Sequence, residues 1–243
     1  MRLLGIVGGI APASTVEYYN RYIDGIKRRL ATGDAPHVVI NSINSRHMLE
    51  LFRMGDHARV IAYLGAALDV LANAGADVAL FASNTPHVVF PELAARSSLP
   101  LISIVAATID EVRARRLQRV GLLGTRFVMD ASMYEQALSG IGACQVLPSR
   151  DEREFIHQRY MSELVSGVFL DETRNGILRI IDRMITEDGV QGVILGGTEL
   201  PLLLGAGSYR NVTLFDTSVL HIERAIAECL DDPSHACLPD DLS

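Results

Sequence analysis

The side chains best suited to chemistry gather in two short polar loops, each directly behind an apolar run. Ser83-Asn84-Thr85-Pro86-His87 follows Val78–Phe81, and Gly196-Gly197-Thr198-Glu199 follows Gly192–Leu195. Asn and Thr side chains, with backbone N–H groups beside them, can grip a carboxylate or orient a carbonyl. The same residues are also ordinary turn formers. Glu199 can serve as a general base or hold a substrate ammonium group, or can be a first-turn glutamate facing a helix dipole. Thr125 and Arg126, behind Val120–Leu123, suit contact with an anion, or a simple N-cap. Arg46, with His47, follows the run Val38–Ile43. Facing a cleft, its planar fork would hold a carboxylate through two hydrogen bonds; on the surface it would be solvated. Asp216 or Thr217 is expected to cap the helix carrying His221, a histidine at structural spacing.

Those loops need elements to hold them. Short apolar runs mark strands at Leu3–Val7, Val38–Asn41, Val78–Phe81, Leu101–Ile104, Val120–Leu123, Gln145–Leu147, Gly192–Leu195 and Val212–Phe215. Between them lie helical stripes such as Val60, Ile61, Leu64, Leu68, Leu71 and Ile177, Ile180, Ile181, Met184. Strands apolar on both faces, alternating with helices, predict an α/β fold with mainly parallel sheets. On such sheets ligands bind at the carboxyl ends of the strands, where both polar loops fall. The pattern also repeats. Gly5-Ile-Val-Gly-Gly with Tyr18 matches Gly121-Leu-Leu-Gly-Thr with Tyr134 at an offset of 116, and Ser83 matches Gly197 at 114. Two pseudo-symmetric α/β/α domains with a cleft between them are expected: residues 1–115 plus 212–230, and residues 116–211. A flexible tail, 231–243, is expected to follow.

Composition narrows the function classes. The chain has 243 residues, 49% hydrophobic, with a formal net charge of −7. Its apolar share supports a buried core, and its acidic balance argues against nucleic-acid or anionic-membrane partners. No apolar run reaches the ~18 residues of a membrane span, and a cleaved signal peptide is not expected at MRLLGIVGGIAPAST. Three cysteines without a CxxC pair suggest a reducing cytoplasm. Gly5-Ile-Val-Gly-Gly is not the dinucleotide fingerprint, and the seven histidines lack metal-site spacing. Neither cofactor nor metal is expected.

Six ordered segments resemble the aspartate/glutamate racemase family: Gly5-Ile-Val-Gly-Gly-Ile, Ser83-Asn-Thr-Pro-His, Leu122-Leu-Gly-Thr, Tyr160-Met-Ser-Glu-Leu-Val-Ser-Gly, Val193-Ile-Leu-Gly-Gly-Thr-Glu and Phe215-Asp-Thr-Ser-Val-Leu-His. The resemblance runs from Leu3 to about Leu230. It implies a cofactor-independent enzyme of two similar domains, a homodimer, binding a small amino or carboxylic acid. It also implies that Ser83 and Gly197 stand where the family's racemases carry two proton-transferring cysteines. Val128 stands where a related pattern has a threonine contacting the substrate carboxylate. Cys144, Cys229 and Cys237 lie outside these loops. Serine needs an adjacent base to act, and glycine carries no proton-transfer group. The expectation is a divergent, isomerase-like enzyme moving a proton next to a carboxylate. Ser83 or Glu199 would act as base, and Asn84, Thr85, Thr125 and Thr198 would hold the acid. A small-acid-binding homologue without turnover, or a lyase or cyclising enzyme, remains the alternative.

Overall fold

The computed structural model describes residues 1–30, 35–205 and 207–231. The strands are β1 (Leu4–Gly8), β2 (Val38–Ser42), β3 (Val78–Phe81), β4 (Arg119–Gly124), β5 (Cys144–Val146), β6 (Gly192–Gly196), β7 (Gly207–Tyr209) and β8 (Val212–Asp216). The α-helices are α1 (Pro12–Arg29), α2 (Ser45–Arg53), α3 (His57–Asn73), α4 (Phe90–Arg96), α5 (Ile104–Ala114), α6 (Arg126–Met129), α7 (Met133–Ser139), α8 (Arg150–Ser162), α9 (Asp171–Thr186), α10 (Leu200–Leu204) and α11 (Thr217–Leu230). No described helix is long and apolar enough to cross a membrane.

Two sheets form. The first, in the order β2-β1-β3, is wholly parallel; the second, β5-β4-β6-β8-β7, is parallel except for β7. β1, β3 and β6 are buried along their full length, which is why they show no polar alternation. β1, β2 and β3 hold the same places in the first sheet as β4, β5 and β6 in the second, so the repeat is one of topology as well as sequence. Behind β1 the chain turns at Gly9, with φ +80°. A Cβ there would lie 2.5 Å from the Ile43 carbonyl oxygen, so only glycine fits.

The halves exchange their closing helices. Ile222, Ala225 and Ile226 of α11 pack with Leu4, Ile6 and Leu80, while Ile109 and Val112 of α5 pack with Val120, Leu122 and Ile194. This corrects the expected boundaries. α11 does cover the first sheet, but β8, placed with it by the sequence, pairs with β6 in the second sheet, and α5 joins the second core. Two strand expectations also change. Leu101 makes a single bridge to Ala79, because Ser103 caps α5 by accepting a hydrogen bond from the Ala106 N–H and so starts a helix at Ile104. β7 was not expected. It forms a hairpin with β8 across Arg210 and Asn211, both at positive φ (47° and 64°), a turn geometry without its usual glycine signal. Beyond Asp231, the expected tail lies outside the described residues, as does Cys237.

Candidate functional site

The carboxyl ends of β1, β3, β4 and β6 converge on one cleft between the sheets, as the fold dictates. Ser83, Asn84 and Thr85 line it from behind β3, Thr125 from behind β4, and Gly197 and Glu199 from behind β6. The cleft is small and partly open to solvent.

Asn84 ties the cleft together. Its Nδ2 donates to Thr217 Oγ1 at 3.0 Å, and its Oδ1 accepts from the Tyr134 hydroxyl at 2.7 Å. Thr217 in turn donates to the Leu195 carbonyl at 2.9 Å. The β3 loop is thus braced against α7, α11 and β6, and much of the Asn84 amide is engaged within the protein. Thr125 is the opposite case: its hydroxyl is buried and has no hydrogen-bond partner among the described residues. A buried, unpartnered hydroxyl costs free energy unless something fills it, so Thr125 is a ready contact for a carboxylate oxygen.

Glu199 is 2% exposed, and among the described residues its side-chain partners are all hydroxyls. Oε2 accepts from Tyr160 and, at 3.2 Å, from Thr198; Oε1 lies 3.4 Å from the Ser14 hydroxyl. Burial without a balancing cation raises its pKa above the ordinary carboxylate value, although these hydrogen bonds pull the other way. Tyr160 is raised well above the usual phenol range, first by burial and then by the Glu199 charge. Its helix is held firmly. Ser149 and Glu152 form a capping box at the start of α8, and Glu152 accepts two hydrogen bonds from Arg183 of α9, at 2.7 and 2.8 Å.

Ser83 has a different neighbourhood from the one expected. His87 faces its backbone carbonyl, not its hydroxyl, and no described side chain offers Ser83 Oγ a base. The ring of His87 also accepts from the Ile104 N–H at 3.1 Å, so Nδ1 carries the proton and donates to Ser83 at 3.1 Å. His221, 5.8 Å away between ring centroids, is likewise structural. Asp216 caps its helix as expected, accepting from the Ser218 and Val219 N–H groups.

Three expected contacts are not brought into the cleft. The Arg46 side chain is 89% exposed and pairs with Glu50 at 3.3 Å, one turn along α2. Val128 is fully buried under Gly124 and Gly196, packing where its apolar surface is better placed than in a wet cleft. Thr198 lines a second cavity of about 60 Å³ behind the site, with Ser14, Glu17, Arg21 and Asp216. Tyr160 opens one of the six family-like segments but was not expected among the site residues. Its signal was Gly197: a Cβ there would lie 2.5 Å from the Tyr160 hydroxyl oxygen and ring.

Comparison with known proteins places this geometry. Residues 7–225 match the model of the Asp/Glu/Hydantoin racemase family. A broad specificity amino-acid racemase of Bacillus subtilis (strain 168), RacX, is 25% identical over 167 residues, covering 68% of this chain and 68% of its own length. The crystal structure of a candidate Asp/Glu racemase from Yersinia pestis superposes with a TM-score of 0.84 at 29% identity, covering 95% of this chain and 100% of that one. An aspartate racemase homologue from Pyrococcus horikoshii OT3 gives 0.78 at 31% identity, again over 95% and 100%.

Proposed function

We propose a function from the premise that the chain belongs to the Asp/Glu/Hydantoin racemase family. The protein is an isomerase-like, cofactor-independent enzyme that moves a proton at a carbon next to the carboxylate of a small amino or carboxylic acid. It does so without a cysteine pair, since positions 83 and 197 are serine and glycine. The observation that carries this reading is the pairing, in one cleft, of an unspent hydroxyl for the carboxylate (Thr125) with a buried, cation-free carboxyl for the proton (Glu199). A cytoplasmic homodimer is the setting the family resemblance suggests.

Incubation in D2O, followed by NMR, tests the reading. No deuterium is expected at the α-carbon of aspartate or glutamate, because neither Arg46 nor Val128 gives the cleft a partner for a second carboxylate; another small amino or carboxylic acid is expected to exchange. Rapid exchange of aspartate or glutamate would overturn the substrate assignment. Thr125→Val is expected to weaken binding of the exchanging acid about 10-fold, the worth of one hydrogen bond to a charged group, read as a smaller thermal shift. An unchanged shift would remove Thr125 from carboxylate binding. A second reading, a binding protein without turnover, is favoured by the lack of a base at Ser83 Oγ; it predicts a thermal shift with no exchange at any carbon.

A further inference from the structure

We propose that Tyr160 and Glu199 together form a proton-transfer pair that replaces the missing side chain at position 197, and that the enzyme works on one face of its substrate only. The inference rests on the function proposed above and adds the reacting groups and the stereochemistry. A side chain projecting from residue 197 would coincide with the Tyr160 hydroxyl and ring edge: the Cβ position is 2.5 Å from the hydroxyl oxygen and from Cε2, and 2.8 Å from Cζ. The phenol therefore stands where a residue-197 acid or base would reach. It lines the cleft and donates to Glu199 Oε2.

The step balances through these two groups alone. The substrate α-C–H bond breaks as its proton passes to the Tyr160 oxygen while the phenol's own proton, directed at Glu199 Oε2, passes to that carboxylate, leaving a carbanion, a neutral phenol and a carboxylic acid. In the return step the phenol gives its proton to the carbanion, re-forming the C–H bond, and takes one from the Glu199 carboxylic acid, which becomes the carboxylate again. Burial raises the Glu199 pKa above the ordinary carboxylate value, which makes its carboxylate a stronger base for that proton.

Glu199 also has a way to exchange its proton without crossing the substrate. Its other oxygen faces the Ser14 hydroxyl, and Ser14 lines the second cavity, of about 60 Å³ and polar enough for water. Glu17 and Arg21 of α1, and Asp216 at the end of β8, are the charged groups facing that cavity. On the opposite wall Ser83 Oγ has no described base, so nothing there matches the pair. Proton transfer from one wall predicts exchange with retention of configuration and no racemisation.

The test uses the full chain with the twenty proteinogenic L-amino acids and a set of small 2-hydroxy and dicarboxylic acids, each in D2O. Deuterium uptake is read by NMR and handedness by chiral chromatography. Wild type is expected to label at least one acid with retention. Tyr160→Phe is expected to lose about 100-fold or more of that rate while its thermal shift with the same acid persists. Glu199→Gln is expected to lose a comparable factor and to flatten the pH profile of exchange. Infrared difference spectra of wild type against Glu199→Gln, without added ligand, are expected to show a carboxylate that takes up its proton at a higher pH than an ordinary glutamate does. Labelling of none of the acids would overturn the proposed function, and this inference with it. Labelling that Tyr160→Phe retains within 2-fold, or that comes with racemisation, would overturn this inference alone. A Glu199 that takes up its proton no earlier than an ordinary glutamate would do the same.

Discussion

Gly197→Cys in the otherwise unchanged chain is expected to destabilise the fold by about 2–6 kcal/mol instead of restoring a thiol to the cleft. The backbone is not the obstacle, since Gly197 is not among the positive-φ positions. The obstacle is the Tyr160 ring, within 2.5 Å of the new Cβ. The ring is stiff and buried, its helix is pinned by the capping box and Arg183, and its hydroxyl is bonded to Glu199. Forcing atoms into a filled site costs roughly 1–3 kcal/mol. Swinging the phenol away strips a buried carboxyl of a partner, at a further ~1–3 kcal/mol. The two positions should therefore couple. Tyr160→Ala alone leaves a hole, Gly197→Cys alone a clash, and the double variant should exceed the sum of the singles in stability by about 1–3 kcal/mol. Urea denaturation of the four proteins measures this. A Gly197→Cys midpoint equal to wild type would sink the argument, and with it the claim that Tyr160 fills that space. Rebuilding a two-thiol site accordingly takes three substitutions, Ser83→Cys, Gly197→Cys and Tyr160→Ala, because the first two alone collide with the third residue.

That requirement was hidden from the sequence for a physical reason. The loops behind β3 and β6 could be read because buried parallel strands end abruptly in polar residues, and the fold sends those ends to a common cleft. Tyr160 opens one of the family-like segments, yet it lies inside α8, where helical spacing suits a core tyrosine as well as a site residue. Only the space above Gly197 distinguishes it, and space is a property of two segments 37 positions apart. Arg46 failed in the other direction. Its loop was placed correctly behind β2, yet the helix start at Ser45 turns the side chain outward to Glu50. The exchange of α5 and α11 was likewise illegible, because each helix carries an apolar stripe that would suit either sheet. The periodicity says that a face is buried and is silent about the partner.

The second large effect concerns pH. Stability is expected to fall as the solution is acidified from about pH 6.5 toward pH 4, with His221 alone accounting for about 3 kcal/mol. His221 is fully buried; its Nε2 faces the Ile102 carbonyl at 2.9 Å and must carry the proton, so Nδ1 accepts from the Tyr18 hydroxyl at 3.0 Å. The neutral ring satisfies both partners, and a second proton would have to displace the hydroxyl hydrogen of Tyr18. Burial pushes its pKa down to about 4, against a smaller upward pull from Ile102. His87 is lowered well below the ordinary value, by burial first and by His221 second. Both folded values lie below the unfolded one, so the unfolded chain binds more protons in this window. The stabilisation is complete above the unfolded pKa and is lost as pH falls below it. Glu199 acts with the opposite sign. Its raised pKa means that the folded chain takes up the proton first, so acidification through that value favours folding. Glu199→Gln should therefore steepen the acid loss, and His221→Gln should flatten it. Urea midpoints at pH 7, 6 and 5 for the three proteins decide the matter, with the histidine ring signals followed by NMR. A Glu199→Gln midpoint that holds or rises down to pH 5, with the opposing carboxyl removed, would mean that neither ring is locked neutral. In the expected case the loss reaches the cleft as well, because the Nδ1 proton of His87 holds the carbonyl of Ser83. A charged ring forced out of its buried seat releases the loop that Asn84 braces.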